Sequence, residues 1–234
     1  MKIVSIFRSV DGEVTDGGPL QWTVFVRLFG CNFRCYEKDG GCDTPQAITD
    51  NGNNVKEICI SKIIQEVNRL GPARCTITGG EPLLQKDEVI DLAWKLGDYG
   101  FDVSLETNGS ISLDKKEKTP FKSIIMDVKA PSTGVEWDYW YNLTRLRKND
   151  YIKVVVETEE DMQWFSDNLN ILKTHNFWRP SIALGPRVDA YNKPVGVGPI
   201  DILEFLEKNR LWDWRLNLQL HKIIWPGLNP WEER

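Results

Sequence analysis

The chain has 234 residues, of which 41% are hydrophobic and 27% charged, and its 29 basic and 34 acidic side chains give a net charge of −5. This composition is typical of one globular domain, so we assign residues 1–234 to a single domain. The mildly acidic charge favours a small-molecule substrate over direct action on nucleic acid.

The start of the chain, MKIVSIFRSVDGE, lacks the pattern of a secretory signal, and no stretch of roughly 18 apolar residues indicates a membrane span. We therefore expect a cytoplasmic protein with no membrane partner. The five cysteines are an odd number, and a reducing compartment disfavours disulfide bonds between them.

Strand-like and helix-like segments alternate along the chain. The predicted strands are 23–29, 75–78, 102–106, 123–129, 151–157, 181–184 and 216–220. The predicted helices are 62–70 with Ser61 as cap, about 87–97, a helix capped by Thr158, and about 200–209. Repeated βα units indicate a parallel sheet covered by helices, and about six units are too few for a closed eight-stranded barrel. We therefore expect an α/β fold with a partial βα barrel.

Four motifs lie at or just after the ends of predicted strands. They are the cysteine loop GCNFRCYEKDGGCDT (30–44), TGGEP (78–82), ETNG (106–109) and DVKAPSTG (127–134). Ligands of parallel α/β proteins bind at the edge where the carboxyl ends of the strands meet. The four motifs are therefore expected to form one site.

The cysteine loop supplies three metal-binding thiols, Cys31, Cys35 and Cys42. Three cysteines on a four-iron cubane leave one iron free to bind another ligand, which suits a cluster that reacts with that ligand. A structural zinc site is the alternative. Zinc usually takes four ligands, so this alternative needs Cys59 or Cys75 as the fourth.

The TGGEP motif combines two glycines, Gly79 and Gly80, with Glu81 and Pro82. Glycines let the backbone approach a ligand closely, and their amides can meet a carboxylate. Alone, the motif could be a simple strand-to-helix turn. Together with the cysteine loop, it resembles the radical S-adenosylmethionine (SAM) superfamily.

Membership of that superfamily implies a [4Fe-4S] cluster and SAM as cofactors. The free iron would bind the amino and carboxylate groups of SAM, and the glycine turn would contact the amino end. An electron from the reduced cluster would then cleave SAM to methionine and a 5′-deoxyadenosyl radical, while the protein aims the radical and excludes water.

Within the superfamily, nearly the whole chain is similar to the 7-carboxy-7-deazaguanine synthase family of the queuosine pathway. The similarity lies in Gly12-Glu13, FVRLFGC (25–31), Cys42-Asp43-Thr44, TGGEP, ETNG and Gln219-Leu220-His221-Lys222. The last is the most specific, because generic superfamily members lack such a C-terminal segment. Members contract the ring of 6-carboxy-5,6,7,8-tetrahydropterin and expel ammonia to give 7-carboxy-7-deazaguanine.

The resemblance also implies roles for individual residues. Glu13 would accept hydrogen bonds from the guanine-like edge of the pterin, and Arg27 would bind its carboxylate. The implied substrate-binding residues are Gly12, Glu13, Arg27, Thr78, Gln219 and His221. The implied SAM-binding residues are Asp43, Gly79, Gly80, Glu81, Glu106, Asp127 and Lys129. Thr44 would ligate a Mg²⁺ ion.

Further partners follow from the same resemblance. They are an external electron donor of the flavodoxin or ferredoxin type and a second copy of the chain in a homodimer. Two alternatives remain open: another radical SAM enzyme, such as a glycyl-radical activase, and a non-enzymatic iron–sulfur or zinc protein.

Three positions depart from the usual patterns. The cysteine spacing is C-x6-C at the second step, where the superfamily commonly has C-x2-C, because segment 36–41 adds four residues. Gly12-Glu13-Val14 replaces Gly-Glu-Gly. Asp127-Val128-Lys129 replaces Ser-Pro-Lys.

Overall fold

The computed structural model describes residues 1–12, 20–50, 52, 55–113, 119–173, 180–189 and 191–226, and within them one nine-stranded sheet carries the fold. The strands are β1 (Lys2–Asp11), β2 (Gln21–Leu28), β3 (Lys56–Glu57), β4 (Arg74–Gly79), β5 (Asp102–Thr107), β6 (Ser123–Asp127), β7 (Tyr151–Val156), β8 (Ser181–Pro186) and β9 (Trp214–Leu216). The α-helices are α1 (Ile60–Leu70), α2 (Lys86–Asp98), α3 (Trp140–Leu143), α4 (Glu159–Lys173), α5 (Pro199–Lys208) and α6 (Leu220–Ile224). Short 3-10 helices follow β2, β4 and β6, at Pro45–Ala47, Pro82–Gln85 and Pro131–Thr133.

The sheet has the order β3-β1-β2-β4-β5-β6-β7-β8-β9. From β2 to β9, each strand pairs in parallel with its neighbour. Strand β1 pairs antiparallel with both β2 and β3. The sheet is open, with β3 and β9 as its edges, so the α/β class is confirmed, as is the absence of barrel closure.

The core lies between the parallel strands and their helices. Val26, Ile77, Leu105 and Met126, from four adjacent strands, are completely buried. Each such side chain contributes about 1.5–3 kcal/mol on burial, so this row fixes which face of each strand points inward. Because the side chains alternate along a strand, the same burial also fixes which residues point to the opposite face of the sheet.

Two helix starts test the predicted caps. Thr158 caps α4 as expected, because its hydroxyl accepts a hydrogen bond from the backbone N–H of Asp161 at 3.2 Å. Ser61 does not cap α1. That helix begins two residues earlier than predicted, with Cys59 as its N-cap residue, and the Ser61 hydroxyl lies 3.3 Å from the Cys59 thiol instead.

The predicted strand 216–220 is wrong. Strand β9 ends at Leu216, and Gln219 is already the N-cap of α6. The chain leaves the sheet here because the backbone N–H of Leu220 donates to the carbonyl of Gly12 at 3.0 Å, which turns the segment toward the end of β1. Strand β1 itself was not predicted.

None of the helices in the described part of the chain is long and apolar enough to cross a membrane.

Candidate active site at the carboxyl edge of the sheet

The cysteine loop (30–44) leaves the end of β2 and folds back over the carboxyl edge. Two of its backbone N–H groups point at sulfur: Phe33 donates to Cys31 Sγ and Thr44 to Cys42 Sγ, both at 3.4 Å. Such donors stabilise a thiolate. The loop backbone therefore offers hydrogen-bond donors to two of the three sulfur atoms.

Two of the thiols, Cys35 and Cys42, are in surroundings whose burial raises their pKa. Burial raises the pKa of the Cys35 thiol, although the positive charge of Lys129 opposes that rise. Burial, assisted by the carboxylate of Asp43, raises the pKa of Cys42 to about 11. Metal binding replaces the protons of such thiols, so iron would convert them from inert groups to ligands.

The three thiols share one neighbourhood. Cys35 interacts electrostatically with both Cys31 and Cys42. Within the described ranges, no three His, Cys, Asp or Glu side chains converge on a point where they could hold a single metal ion. A cubane does not need such convergence, because its cysteines ligate separate irons. The absence of a single-ion site is therefore compatible with a four-iron cluster held by this loop.

The glycine turn lies directly against the start of the cysteine loop. Gly79 has a φ of +151°, and a Cβ there would strike the backbone of Leu28. A Cβ on Gly80 would strike the carbonyl of Gly30 and lie 2.7 Å from the Cβ of Cys31. Both positions therefore exclude side chains, and the turn presents bare backbone beside the cluster loop.

Glu81 joins three motifs through its buried carboxylate and its backbone N–H. It is 1% exposed and accepts hydrogen bonds from the N–H of Leu83 at 2.9 Å, the hydroxyl of Thr107 at 2.9 Å and the N–H of Asn108 at 2.7 Å. Its own N–H donates to Gly30 at 2.7 Å. Burial raises the pKa of Glu81, and these donors oppose the rise. The carboxylate thereby fixes TGGEP relative to ETNG, and the backbone N–H fixes it relative to the cysteine loop.

Arg27, Thr78 and Glu106 come from three adjacent strands. Arg27 on β2 and Thr78 on β4 are register partners. The Thr78 hydroxyl donates to Glu106 Oε2 at 2.6 Å. The structure therefore brings together two predicted substrate-binding residues and one predicted SAM-binding residue.

Asp127 and Lys129 form an ion pair at the end of β6. The Asp127 Oδ2 atom lies 3.1 Å from Lys129 Nζ and 3.4 Å from Lys153 Nζ. Burial alone would lower the pKa of Lys129, but the negative charge of Asp127 raises it, so the ammonium stays charged. The second oxygen, Asp127 Oδ1, is buried and accepts no hydrogen bond from the described residues. A buried acceptor of this kind indicates a donor from a ligand or water.

The two ends of the chain meet at the same edge. A Cβ on Gly12 would lie 2.8 Å from Nδ1 of His221, so the N-terminal motif packs on the C-terminal one. Gln219 precedes α6, and His221 lies in its first turn. Glu13 lies outside the described residues.

Asp43 and Thr44 connect the cysteine loop to the C-terminal helix. Lys222 Nζ lies 3.5 Å from Asp43 Oδ2. The Thr44 hydroxyl donates to Asp43 Oδ1 at 3.4 Å, and Thr44 precedes the 3-10 helix Pro45–Ala47 as its N-cap residue. Two neighbouring oxygen groups therefore lie beside the third cysteine.

Asn32 is a site residue that sequence reasoning missed. Its side-chain oxygen accepts hydrogen bonds from Asn108 Nδ2 and Ser110 Oγ, both at 3.2 Å. Asn108 Nδ2 also lies 3.9 Å from Cys31 Sγ. The only sequence signal was the location of Asn32 between two cysteines. Asn142 and Arg187 lie outside all of the sequence motifs.

Comparison with protein families and curated proteins gives consistent matches. Residues 15–128 match the family described as a 4Fe-4S single cluster domain. A 7-carboxy-7-deazaguanine synthase of Methanospirillum hungatei is 37% identical over 96% of this chain and 85% of its own length. A 7-carboxy-7-deazaguanine synthase of Clostridium acetobutylicum is 35% identical over 96% of both chains.

A solved structure supports the fold. The crystal structure of QueE from Escherichia coli matches with a TM-score of 0.69 over 92% of both chains, at 22% identity. The similarity covers most of the chain and shows that the two proteins share a fold.

Proposed function

The chain belongs to the 7-carboxy-7-deazaguanine synthase family, and from this premise we propose that it converts 6-carboxy-5,6,7,8-tetrahydropterin to 7-carboxy-7-deazaguanine with loss of ammonia. One observation carries the proposal. The glycine turn and the cysteine loop are held face to face, with Glu81 N–H on the Gly30 carbonyl at 2.7 Å. This contact holds the glycine turn beside the cysteine loop, so that SAM bound to the cluster would also reach the backbone of the turn.

The cluster and SAM supply, when bound, the one-electron cleavage that starts the radical reaction. The protein holds and shields them. Cys31, Cys35 and Cys42 would ligate three irons and leave the fourth open. Gly79 and Gly80 would offer backbone groups to SAM, because the turn has no room for side chains.

The charged pair after β6 suits the methionine end of SAM. Lys129 is a permanent cation that can bind a carboxylate, and the orphaned Asp127 Oδ1 can accept from an ammonium group. Glu106, oriented by Thr78, and Asp43 complete the SAM side. Glu81 acts on SAM indirectly, by fixing the turn.

The substrate would lie between the ends of the chain and β2. Glu13 would accept from the guanine-like edge, with Gly12, Gln219 and His221 beside it. Arg27 offers a guanidinium for the pterin carboxylate, and its neighbour Thr78 lines the same pocket. Thr44 would bind Mg²⁺ together with an oxygen of the substrate.

The same proposal includes the architecture of the fold, the oligomeric state and the electron donor. The parallel series β2 to β9 would form a partial βα barrel, within a single domain over residues 1–234. A homodimer would be the working form. A flavodoxin or ferredoxin type of protein would supply electrons.

The test begins with anaerobic reconstitution of the cluster. The loaded protein is mixed with SAM, dithionite and 6-carboxytetrahydropterin, and 7-carboxy-7-deazaguanine is sought by mass spectrometry. We expect product from the parent protein and none from Cys42→Ala. Cys59→Ala is the matched control, because Cys59 is exposed and lies outside the loop; it should retain product formation.

The other outcomes discriminate between the alternatives. Cleavage of SAM to 5′-deoxyadenosine without the deazaguanine would contradict the substrate and leave the radical chemistry, as in a glycyl-radical activase. A protein with full iron content that neither cleaves SAM nor forms product would be a non-enzymatic iron–sulfur protein.

A further inference from the structure

Segment 36–41 separates Cys35 from Cys42 by six residues, four more than the common spacing of the superfamily. It has little internal structure to hold it. The N–H groups of Asp39 and Gly41 both donate to the carbonyl of Tyr36 at 2.8 Å, and residues 37–40 are exposed. A loop of this kind does not by itself fix the position of the cysteine that follows it.

One side chain that is distant in sequence, Arg187, binds this segment. The Arg187 guanidinium donates to Asp39 Oδ2 at 2.8 Å and also to the Asp39 backbone carbonyl. Its centre lies 3.9 Å from the centroid of the Tyr36 ring, which adds a cation–π contact. Arg187 thus holds both the first half and the tip of the segment.

Arg187 is itself firmly anchored. It follows β8, and its backbone N–H donates to Val156, the last residue of β7, at 2.8 Å. Its guanidinium donates to Glu157 Oε2 at 2.7 Å. Arg187 and Glu157 are 15% and 18% exposed, so this pair is shielded from water, unlike the surface pair Lys95–Asp91 with 49% and 47% exposure.

We propose that Arg187 is a positioning residue for the iron–sulfur cluster: it holds segment 36–41 against the ends of β7 and β8 and so places Cys42 relative to Cys35. The inference rests on the proposed cluster but not on the proposed substrate. In this chain, the contacts of Arg187 with Tyr36 and Asp39 would offset the freedom that the four extra residues give to Cys42.

The primary experiment measures iron release, without SAM or substrate. Loaded, anaerobic protein is diluted into a ferrous chelator, and the rate of colour formation is recorded. Arg187→Ala removes three charge-assisted hydrogen bonds, two of them to the segment, and a cation–π contact, so iron loss should accelerate about tenfold. Asp39→Asn keeps the backbone contact, and about threefold is expected. Arg187→Lys should resemble Arg187→Ala, because an ammonium cannot reproduce the fork.

Arg145→Ala is the matched control. The Arg145 guanidinium also covers a tyrosine ring, that of Tyr141 at 3.2 Å, and donates to the Tyr141 carbonyl at 2.9 Å, but it lies outside the cysteine loop. Iron release from this variant should stay at the parent rate.

A second readout separates positioning from general stability. In the iron-free protein, alkylation of individual cysteines is followed by peptide mass spectrometry. Arg187→Ala should speed labelling of Cys42 and leave that of Cys31 unchanged, because Cys31 follows the Gly30 carbonyl that Glu81 holds. Equal acceleration at both cysteines would mean general loosening and would overturn the proposal.

Parent-like iron release from a folded Arg187→Ala variant would also overturn it. If that variant does not fold, Asp39→Asn decides, because the Asp39 side chain is 67% exposed and its replacement leaves the core intact. Iron release from Asp39→Asn at the parent rate would then reject the positioning role of Arg187. Failure to form the deazaguanine, with iron release behaving as expected, would reject the substrate alone.

Discussion

Gly80, like Gly79, lies in very close contact with neighbouring backbone in the candidate site. Its backbone faces the carbonyl of Gly30 and the Cβ of Cys31, so even a methyl group has no space there. The neighbouring groups are backbone and the base of a cluster ligand, neither of which can move without shifting the cysteine loop. A side chain at this position would therefore displace the cysteine loop and change the geometry of the cluster.

We expect Gly80→Ala to reduce SAM cleavage about a hundredfold per loaded cluster, because a displacement near 1 Å at a reacting centre has an effect of that order. The measurement is 5′-deoxyadenosine formation, normalised to iron content. Gly97→Ala is the control: Gly97 lies in α2 with nothing within 4 Å of an added Cβ. It should keep full activity and gain up to about 1 kcal/mol in unfolding free energy. Equal activity of the two variants would contradict the assigned contact.

At the scale of elements, the segment after ETNG is fastened by α3. Asn142 is 3% exposed, and its amide donates to the carbonyls of Gly109 at 2.7 Å and Ile111 at 2.8 Å. Its oxygen accepts from the N–H of Leu113 at 2.8 Å. One side chain thus satisfies three backbone groups and orders the approach to the β5 edge of the site.

Asn142→Ala should lower the free energy of unfolding by at least about 3 kcal/mol, because three buried backbone groups lose their partner. Equilibrium denaturation in urea measures this change. Asn209→Ala is the comparison, since Asn209 makes one exposed hydrogen bond at the end of α5; the expected loss is under about 1 kcal/mol. A similarly small loss for Asn142→Ala would show that water replaces the amide, and the fastening role would be abandoned.

The sequence was informative wherever a structural signal is local. Apolar strands and helical periodicity predicted β2 and β4 to β8, and the order of the motifs along the chain predicted one edge for the site. The C-terminal segment failed, because alternating LNLQL (216–220) reads as a strand while Leu220 actually bonds to Gly12. Glu13 lies outside the described residues, and its role stays a prediction.

Partners that are distant in sequence could not be predicted. Arg187 and Asp39 are 148 positions apart, and Arg187 lies in none of the motifs. Asn142 reaches a segment about 30 residues earlier through side-chain hydrogen bonds alone. Such contacts depend on the packing of the whole sheet, so they carry no periodicity or composition that a single sequence reveals.

On the scale of the whole molecule, the cysteine loop is a junction between parts of the chain that lie far apart in sequence. Four contacts join it to the turn after β4, the 3-10 helix after β6, the residue after β8, and α6: Gly30–Glu81, Tyr36–Thr133, Asp39–Arg187 and Asp43–Lys222. A cluster that ties three points of this loop together should therefore stabilise the fold as a whole, and not only the loop.

A ligand that binds the folded chain alone stabilises it by mass action, and for a chain of this size each kcal/mol corresponds to about 2–4 °C in Tm. We expect the anaerobic, iron-loaded protein to melt at least about 5 °C higher than the same protein stripped with a chelator, as measured by circular dichroism. The triple variant with alanine at Cys31, Cys35 and Cys42 should melt at one temperature, with or without chelator. If the stripped and loaded proteins shared one Tm, binding of the cluster would not stabilise the folded chain. The four contacts of the cysteine loop would then not couple the loop to the core. The junction predicts instead that the shift shrinks in Arg187→Ala, because this variant disconnects the loop from β7 and β8 while all three cysteines remain.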